Sequence, residues 1–333
     1  MRLPWGDLRE IESKFLYDRE FVILGSLSFE QRCCAVPILL NKPNCLGIEL
    51  LEIKDPADAF PDNSSVIDQK RQRNKSRLKK EGVKFSSPVP QLLSSEDQLI
   101  DMLQKFKSNL PATSTAILDI TSLPKRYFCF FLKRMLRQDI FSNVIVTYTE
   151  PGLGGYATGH LAEDPMTCEH LPGYSAPLPP KGSTLVVSVG FESLSIKPLL
   201  EIYSGEKKET KIILAFPPNG ENAKRQWNTL RQMVVDVQEI RDNLEVVAAW
   251  DTEQVYRTLE RWSKDSYGLT LAPFGPKAHS LGMALFAIKY DAGLYYTQPK
   301  SYNPDYSSGE GRAWAYVVKW DAVPCYERYA MYT

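Results

Sequence analysis

Short apolar runs alternate with longer segments of helical character along most of the chain. Runs such as FVILGS (21–26), STAILDI (114–120), TLVVSVG (184–190) and KIILAF (211–216) have the length of buried strands. Continuous apolar strands that alternate with helices are typical of parallel sheets covered on both faces. The pattern therefore predicts the α/β class.

Four short landmarks occur twice, in the same order. Ordered recurrence of this kind indicates an internal duplication, because chance rarely repeats four landmarks in the same order. We therefore expect two tandem Rossmann-like domains, each with a doubly wound parallel sheet. The landmarks are Phe-Glu at 29–30 and 191–192, Pro-Lys at 124–125 and 276–277, YTEP at 148–151 with YTQP at 296–299, and Tyr-small-small-Gly at 156–159 and 306–309.

The length of 333 residues suits two domains. The segment LPGYSAPLPPKGS (171–183) is rich in proline and glycine and precedes the first strand of the second copy. The sequence therefore predicts a first domain over 1–170, a linker over 171–183 and a second domain over 184–333.

Charge and cysteine content limit the classes of partner. Lys+Arg and Asp+Glu both number 40, so no global field attracts nucleic acid, and bulk nucleic-acid binding is not expected. The basic run at 70–80 is interpreted as a solvated helix face, since it lacks interleaved aromatic residues. We expect no membrane association, because no apolar run approaches the roughly 20 residues of a spanning helix.

Six cysteines without paired spacing favour a reducing, cytoplasmic setting.

The repeated landmarks fall where open α/β sheets bind ligands, beyond the carboxyl ends of the strands and against helix N-termini. Hydroxyl and lysine groups contact phosphate oxygens, glycine permits close approach, and tyrosine rings stack on bases. The alternative is that these turns recur only because the fold recurs. The predicted ligand is a nucleotide or another phosphorylated small molecule, and the predicted contacts are Gly25, Ser26, Thr121, Ser122, Lys125, Gly190, Gly275, Lys277, Ser280, Tyr306, Ser308 and Gly309.

Three carboxylates are candidates for chemistry. Glu30 and Glu192 occur at equivalent places, where each would serve as a general base, as an acceptor for a ribose hydroxyl, or as an acidic first-turn residue favoured by the helix dipole. Asp119 ends an apolar strand, where capping of the next helix is at least as good an explanation as catalysis. The sequence predicts no metal site and no cofactor, since the loose trio His160, Cys168 and His170 has no recognised ligand spacing.

The turn APFGPKAHSLG (272–282) resembles the strand–turn–helix of CARF-type Rossmann domains, which bind oligonucleotides, and the related SAVED domains fuse two such copies. The resemblance implies ligand contacts by Gly275, Lys277 and Ser280, with Thr121, Ser122 and Lys125 as first-half counterparts. It also implies nucleotide sensing in a prokaryotic defence system. Pro276 stands where the family has threonine, and Leu123-Pro124 stands where glycine is expected.

Three functions remain open from the sequence. The first is a module that binds or senses a nucleotide or phosphorylated ligand. The second is a nucleotide-directed hydrolase or glycosidase using Glu30 or Glu192. The third is a protein-interaction subunit, with a protein partner, on a degenerate Rossmann scaffold.

Overall fold

The chain folds into two compact units in the computed structural model. One comprises 1–164 with 300–333, and the other comprises 165–299. The structure describes residues 4–56, 64–109, 115–138, 140–152, 155–157, 161–176, 183–191, 196, 199–201, 209–216, 220–233 and 243–327.

The strands, in chain order, are β1 (Trp5–Asp7), β2 (Phe21–Ser26), β3 (Cys45–Leu51), β4 (Thr115–Asp119), β5 (Asn143–Thr149), β6 (Ala162–His170), β7 (Thr184–Val189), β8 (Glu209–Phe216), β9 (Leu244–Ala248), β10 (Leu269–Pro273), β11 (Gly293–Tyr302), β12 (Ala313–Trp320) and β13 (Val323–Pro324). The helices are α1 (Leu8–Phe15), α2 (Ala35–Leu39), α3 (Ser64–Lys80), α4 (Glu96–Asn109), α5 (Lys125–Arg137), α6 (Gly220–Met233), α7 (Thr252–Ser263) and α8 (Lys277–Tyr290), with a 3-10 helix at Gln31–Cys34.

The first unit is built on a sheet with the order β1-β12-β5-β4-β2-β3. Strands β5, β4, β2 and β3 are parallel, whereas β12 adds antiparallel to β5 and β1 adds antiparallel to β12. Side chains along β2, β4 and β5 are buried throughout, which explains their continuous apolar sequences.

The second unit contains a sheet with the order β6-β11-β10-β7-β8-β9. Its strands from β11 to β9 are parallel. Helix α8 is buried along nearly its whole length, as expected for a helix that is apolar on all sides. Gly282 permits the approach of α7, because a Cβ there would lie 2.7 Å from the Thr252 carbonyl oxygen.

The two units share one strand order, as the internal repeat predicts. The series β5-β4-β2-β3 in the first unit corresponds to β11-β10-β7-β8 in the second. YTEP ends β5 and YTQP lies in β11, so the repeated tetrapeptides occupy equivalent strands. The predicted fold class, two Rossmann-like α/β sheets dominated by parallel strands, is confirmed.

The extent of the two units differs from the domain limits expected from sequence. Residues 300–333 belong with the first unit and not with a second domain at 184–333, because β12 pairs along its length with β5. The chain leaves the first unit within β6 and returns to it within β11.

The described part of the predicted linker is also packed. Leu171 and Tyr174 are buried, and the Leu171 amide donates to the Leu294 carbonyl oxygen at 2.8 Å. The start of the 171–183 segment therefore belongs to the second unit, and 177–182 lies outside the described residues.

The assignment of β12 to the first sheet has a testable consequence. Val317 is fully buried and pairs with Ile145, so Val317→Asp places a charge in the first core and should destabilise that unit by roughly 3 kcal/mol or more. Hydrogen exchange should then accelerate for amides of β4 and β5, while amides of β7 and β10 keep their protection. Val323→Asp, at a position 41% exposed on β13, is the control and should change neither set. Loss of protection in β7 and β10 alone would contradict the assignment.

Candidate functional site

The carboxyl ends of β2 and β4 meet at the switch point of the first sheet, where successive connections leave in opposite directions. Two predicted residues touch there, since Ser26 Oγ and Ser122 Oγ are 2.7 Å apart. Gly25 lies beside them, and a Cβ at this position would be 3.3 Å from the Asp119 Cβ and from a methyl group of Leu50. The glycine therefore permits close packing between strands.

Asp119 organises the turn that follows β4. Its Oδ1 atom accepts hydrogen bonds from the Thr121 amide (3.1 Å), the Thr121 hydroxyl (2.5 Å) and the Thr147 hydroxyl (3.3 Å). Asp119 is almost fully buried. These bonds hold the turn before α5 in place. They do not cap the helix, since its N-cap is Pro124, whose side chain makes no capping hydrogen bond. The helix-capping role that the sequence allowed for Asp119 is therefore not found.

Lys125 is the first residue of α5 and is buried, with 8% of its surface exposed. Burial lowers the pKa of its amine to about 7, against a small opposing effect of Cys129. Lys125 is therefore not a solvated first-turn lysine. An anion at the positive end of α5 would favour the charged amine.

A buried ion pair lies beside the switch point, in the connection after β2. Arg32 donates from Nε and Nη2 to the same oxygen, Oε2 of Glu30, at 2.9 and 2.7 Å. Its Nη1 donates to the Thr149 carbonyl oxygen at 3.1 Å, at the end of β5. Ser307 Oγ also donates to Glu30 Oε2, at 2.6 Å. The pair therefore joins three segments of the chain.

Three tyrosines surround the Arg32 guanidinium. It lies 5.7 Å from the ring centre of Tyr148 and 5.9 Å from that of Tyr156. Tyr156 and Tyr306 meet edge to face at 5.7 Å. Burial by itself lowers the pKa of Arg32, but the Glu30 carboxylate and the tyrosine phenols outweigh it, so the pKa is raised well above its usual range. Arg32 is therefore a permanent cation in this tyrosine cluster.

Burial raises the pKa of Tyr148 and of Tyr306 well above the usual range of a phenol. Both phenols therefore remain protonated at neutral pH. The Tyr148 hydroxyl lies 3.3 Å from the Tyr156 hydroxyl and accepts from Arg32 Nη1 at 3.4 Å. Tyr156 and Tyr306 are only partly buried as whole residues, although the Tyr306 phenol itself is desolvated.

Thr149 links the switch point to the tyrosine cluster. Its amide donates to the Thr121 hydroxyl at 2.9 Å, and its carbonyl oxygen accepts from Arg32. Thr149 is fully buried, and its own hydroxyl has no hydrogen-bond partner among the residues that the structure describes. An unpartnered buried hydroxyl is costly, so its presence between the two groups favours a polar ligand atom or a water at this point.

The predicted contacts Tyr306, Ser308 and Gly309 lie in the first unit and not in a second-domain site. Ser308 accepts a backbone hydrogen bond from Gly152 and donates one to Gly155, and Tyr156 forms a β-bridge with Ser307. The two copies of the Tyr-small-small-Gly landmark thus meet each other, because the chain returns to the first unit after Pro299.

The basic run on α3 is not simply a solvated face. Lys70 donates to Asp305 at 2.6 Å, Arg77 forms an ion pair with Glu310, and Arg71 is buried against Asp68. Arg73, Lys79 and Lys80 are exposed. Part of the run therefore holds the segment 303–310 against α3 within the first unit.

In the second unit, Gly190 and Gly275 pack against the chain itself. A Cβ on Gly190 would lie 2.3 Å from the Phe274 carbonyl oxygen, and one on Gly275 would lie 2.0 Å from Ser188 Oγ. Because glycine has no side chain, the ends of β7 and β10 can approach each other closely at these two positions. The two glycines therefore serve contacts within the protein.

Most of the polar side chains at the start of α8 already form hydrogen bonds within the protein. Ser280 is fully buried and donates to the Pro276 carbonyl oxygen at 3.1 Å. His279 is buried between Ser188 Oγ (3.1 Å) and the Ala248 carbonyl oxygen (2.9 Å). Lys277, the first residue of α8, is partly exposed. Ligand roles for Lys277 and Ser280 stay predictions.

Glu192 and His160 lie outside the described residues. Within the described residues, no group of three or more histidine, cysteine or acidic side chains has the arrangement of a metal site. None of the helices described there has the length and apolar character needed to cross a membrane.

Sequence reasoning did not select Arg32, Thr149 or Ser307. Arg32 has no counterpart in the second half, where Ser193-Leu194 stands, so the repeat gave no signal for it. Thr149 does carry one, since it is repeated as Thr297 within the tetrapeptides.

No protein-family model matches the chain, and no curated protein matches it. Among solved structures, one match is the methyltransferase domain of bacterial CtHen1, with 14% identity and a TM-score of 0.24, over 43% of this chain and 62% of that one. Another is Haemonchus contortus phosphoethanolamine N-methyltransferase 1 in complex with phosphoethanolamine and S-adenosylhomocysteine, with 8% identity and a TM-score of 0.22, over 76% and 69%. With TM-scores this low, neither likeness informs the function.

The lowered pKa of Lys125 predicts a specific pH dependence of stability. Between pH about 7 and 10.5 the unfolded chain binds a proton that the folded chain lacks, so this residue makes the unfolding free energy rise with pH, by up to about 1.4 kcal/mol per unit. Lys125→Met removes the penalty of a buried charge, and its advantage over wild type should be greatest below pH 7 and shrink toward 10.5.

Urea unfolding across that range measures the difference. Lys105→Met, at an exposed position of α4, is the control and should run parallel to wild type. A Lys125→Met curve that is also parallel to wild type would show that the amine is not desolvated.

Proposed function

We propose that the first unit binds a phosphorylated small molecule, with nucleotides as the favoured class, at the switch point of its sheet. The observation that supports this most is Lys125, a buried amine at the start of α5, three residues after the Ser122 hydroxyl that meets Ser26. Burying an amine costs free energy that an anion at the same place offsets. Hydroxyls, a helix N-terminus and an ammonium group together suit phosphate oxygens.

The tyrosine cluster favours a nucleotide over a simpler phosphorylated compound. Tyr156 and Tyr306 are partly exposed residues of this cluster, which Thr149 connects to the switch point. Aromatic rings stack on bases with little sequence preference, at about 1–3 kcal/mol per base. Among the residues that the structure describes, all hydrogen bonds to the Glu30 carboxylate go to Oε2. The other oxygen, Oε1, suits a hydrogen bond donated by a ribose hydroxyl.

The geometry favours binding over catalysis by Glu30. Its Oε2 atom accepts three hydrogen bonds, two of them from Arg32, which holds the carboxylate as a structural acceptor. A general base needs freedom to take and release a proton, and this arrangement opposes that exchange. The nucleotide-directed hydrolase or glycosidase is therefore the weaker proposal.

The proposal extends to nucleotide sensing of the CARF and SAVED kind, in a cytoplasmic prokaryotic defence system. It draws support from the strand order shared by the two units and from the equivalent Pro-Lys steps before α5 and α8. In the second unit the contact would come from Lys277, which is partly exposed.

A thermal-shift screen with inorganic phosphate and with mono-, di- and cyclic nucleotides tests the proposal, because a ligand at 100 times its dissociation constant adds about 2.7 kcal/mol. For the best nucleotide, calorimetry should show that Lys125→Met weakens binding at least about tenfold, or 1.4 kcal/mol. Lys277→Ala should weaken nucleotide binding by a similar factor if the second unit also binds a nucleotide, and should leave it unchanged if only the first unit does.

Lys105→Met is the matched control, because it removes an exposed lysine of the same unit. It should bind as tightly as wild type. Unchanged affinity in the double variant Lys125→Met/Lys277→Ala would rule out the proposed phosphate site, as would the absence of any nucleotide that shifts the melting temperature.

A further inference from the structure

A cavity of about 380 Å³ lies in the first unit, and none of the switch-point residues lines it. Its apolar wall comes from the start of α1, from α2 and from the start of β12. The contributing side chains are Leu8, Ala35, Ile38, Leu39 and Ala313. Ile38 and Leu39, the last two residues of α2, are only half-buried. The volume falls in the range of small-molecule pockets, roughly 300–1,000 Å³.

The other wall of the cavity is charged, and most of its charges are already paired. Arg77 pairs with Glu310, and Arg312 lies 3.5 Å from Asp7 Oδ2. The Asp7 carboxylate also caps α1 by accepting from the Arg9 amide at 3.0 Å. Both carboxylates in the lining are therefore neutralised by the protein.

Arg9 is the exception in this wall. It lines the cavity, and in the part of the chain that the structure describes no carboxylate lies within ion-pairing distance of its guanidinium. Three arginines against two carboxylates leave the lining with one net positive charge. A single unpaired arginine beside an apolar wall matches a ligand with one anionic group on an apolar body.

We propose that this cavity is a second ligand site, for a small amphipathic anion whose carboxylate or sulfonate faces Arg9 and whose apolar body packs on Leu8, Ile38 and Leu39. The apolar wall supplies most of the binding free energy, because the ligand and the wall both remove apolar surface from water when they meet. Arg9 supplies the preference for a charged group over a neutral one.

Two fluorescent probes of nearly the same shape separate these contributions. The first is 8-anilinonaphthalene-1-sulfonate, which carries an anionic group on an aromatic body. The second is N-phenyl-1-naphthylamine, which lacks the sulfonate. On the full chain the anionic probe should bind saturably with one equivalent. Arg9→Ala should weaken it about fivefold, or roughly 1 kcal/mol, and leave the neutral probe within about twofold.

Leu39→Trp fills the cavity and should abolish saturable binding of both probes. Arg73→Ala removes an exposed arginine of α3 that does not line the cavity, and both probes should bind it as they bind wild type. Arg9 is exposed, so Arg9→Ala keeps the test valid even where Leu39→Trp perturbs folding. Saturable binding that is equal in wild type and Arg9→Ala for the anionic probe, or no saturable binding at all, would overturn the proposal.

Discussion

The buried ion pair between Glu30 and Arg32 holds together the carboxyl edge of the first sheet. Arg32 reaches the end of β5 through the Thr149 carbonyl oxygen, and Glu30 reaches the returning chain through Ser307. Removing one partner of such a pair costs about 3–5 kcal/mol, because the other charge remains buried. The end of β5, the tyrosine cluster and Ser307 of the returning chain all contact this one pair.

Much of the fold follows from local pattern. Continuous apolar runs predicted β2, β4, β7 and β8, because strands whose side chains are buried consist mainly of apolar residues. The repeat identified the equivalence of β5 and β11. The assignment of β12 did not follow, because AWAYVVKW pairs with a strand some 170 residues earlier in the chain, and no local pattern encodes that partner. The domain limit at 184–333 was wrong for the same reason.

The candidate site was predictable in part. The repeat drew attention to Ser26 and Ser122, which the structure brings into contact, and to Lys125, which begins α5. It also placed Gly190 at the end of β7 and Gly275 in the turn before α8, and the structure has them there. The repeat predicted Tyr306, Ser308 and Gly309 in the second domain, but they belong to the first unit. The reason is that the chain returns to the first unit after Pro299, before this copy of the landmark. It passed over Arg32, whose importance comes from burial and from contacts that only the tertiary structure creates.

A double-mutant cycle on Glu30 and Arg32 tests directly whether this ion pair organises the edge. Arg32→Met alone should lower the unfolding free energy of the first unit by about 3–5 kcal/mol. Glu30→Gln in the same chain should restore more than about 1 kcal/mol of that loss, because it removes the uncompensated charge. The exposed pair Arg261 and Glu245 is the matched control, with coupling below about 1 kcal/mol. Additive effects of Glu30→Gln and Arg32→Met would contradict this role for the pair.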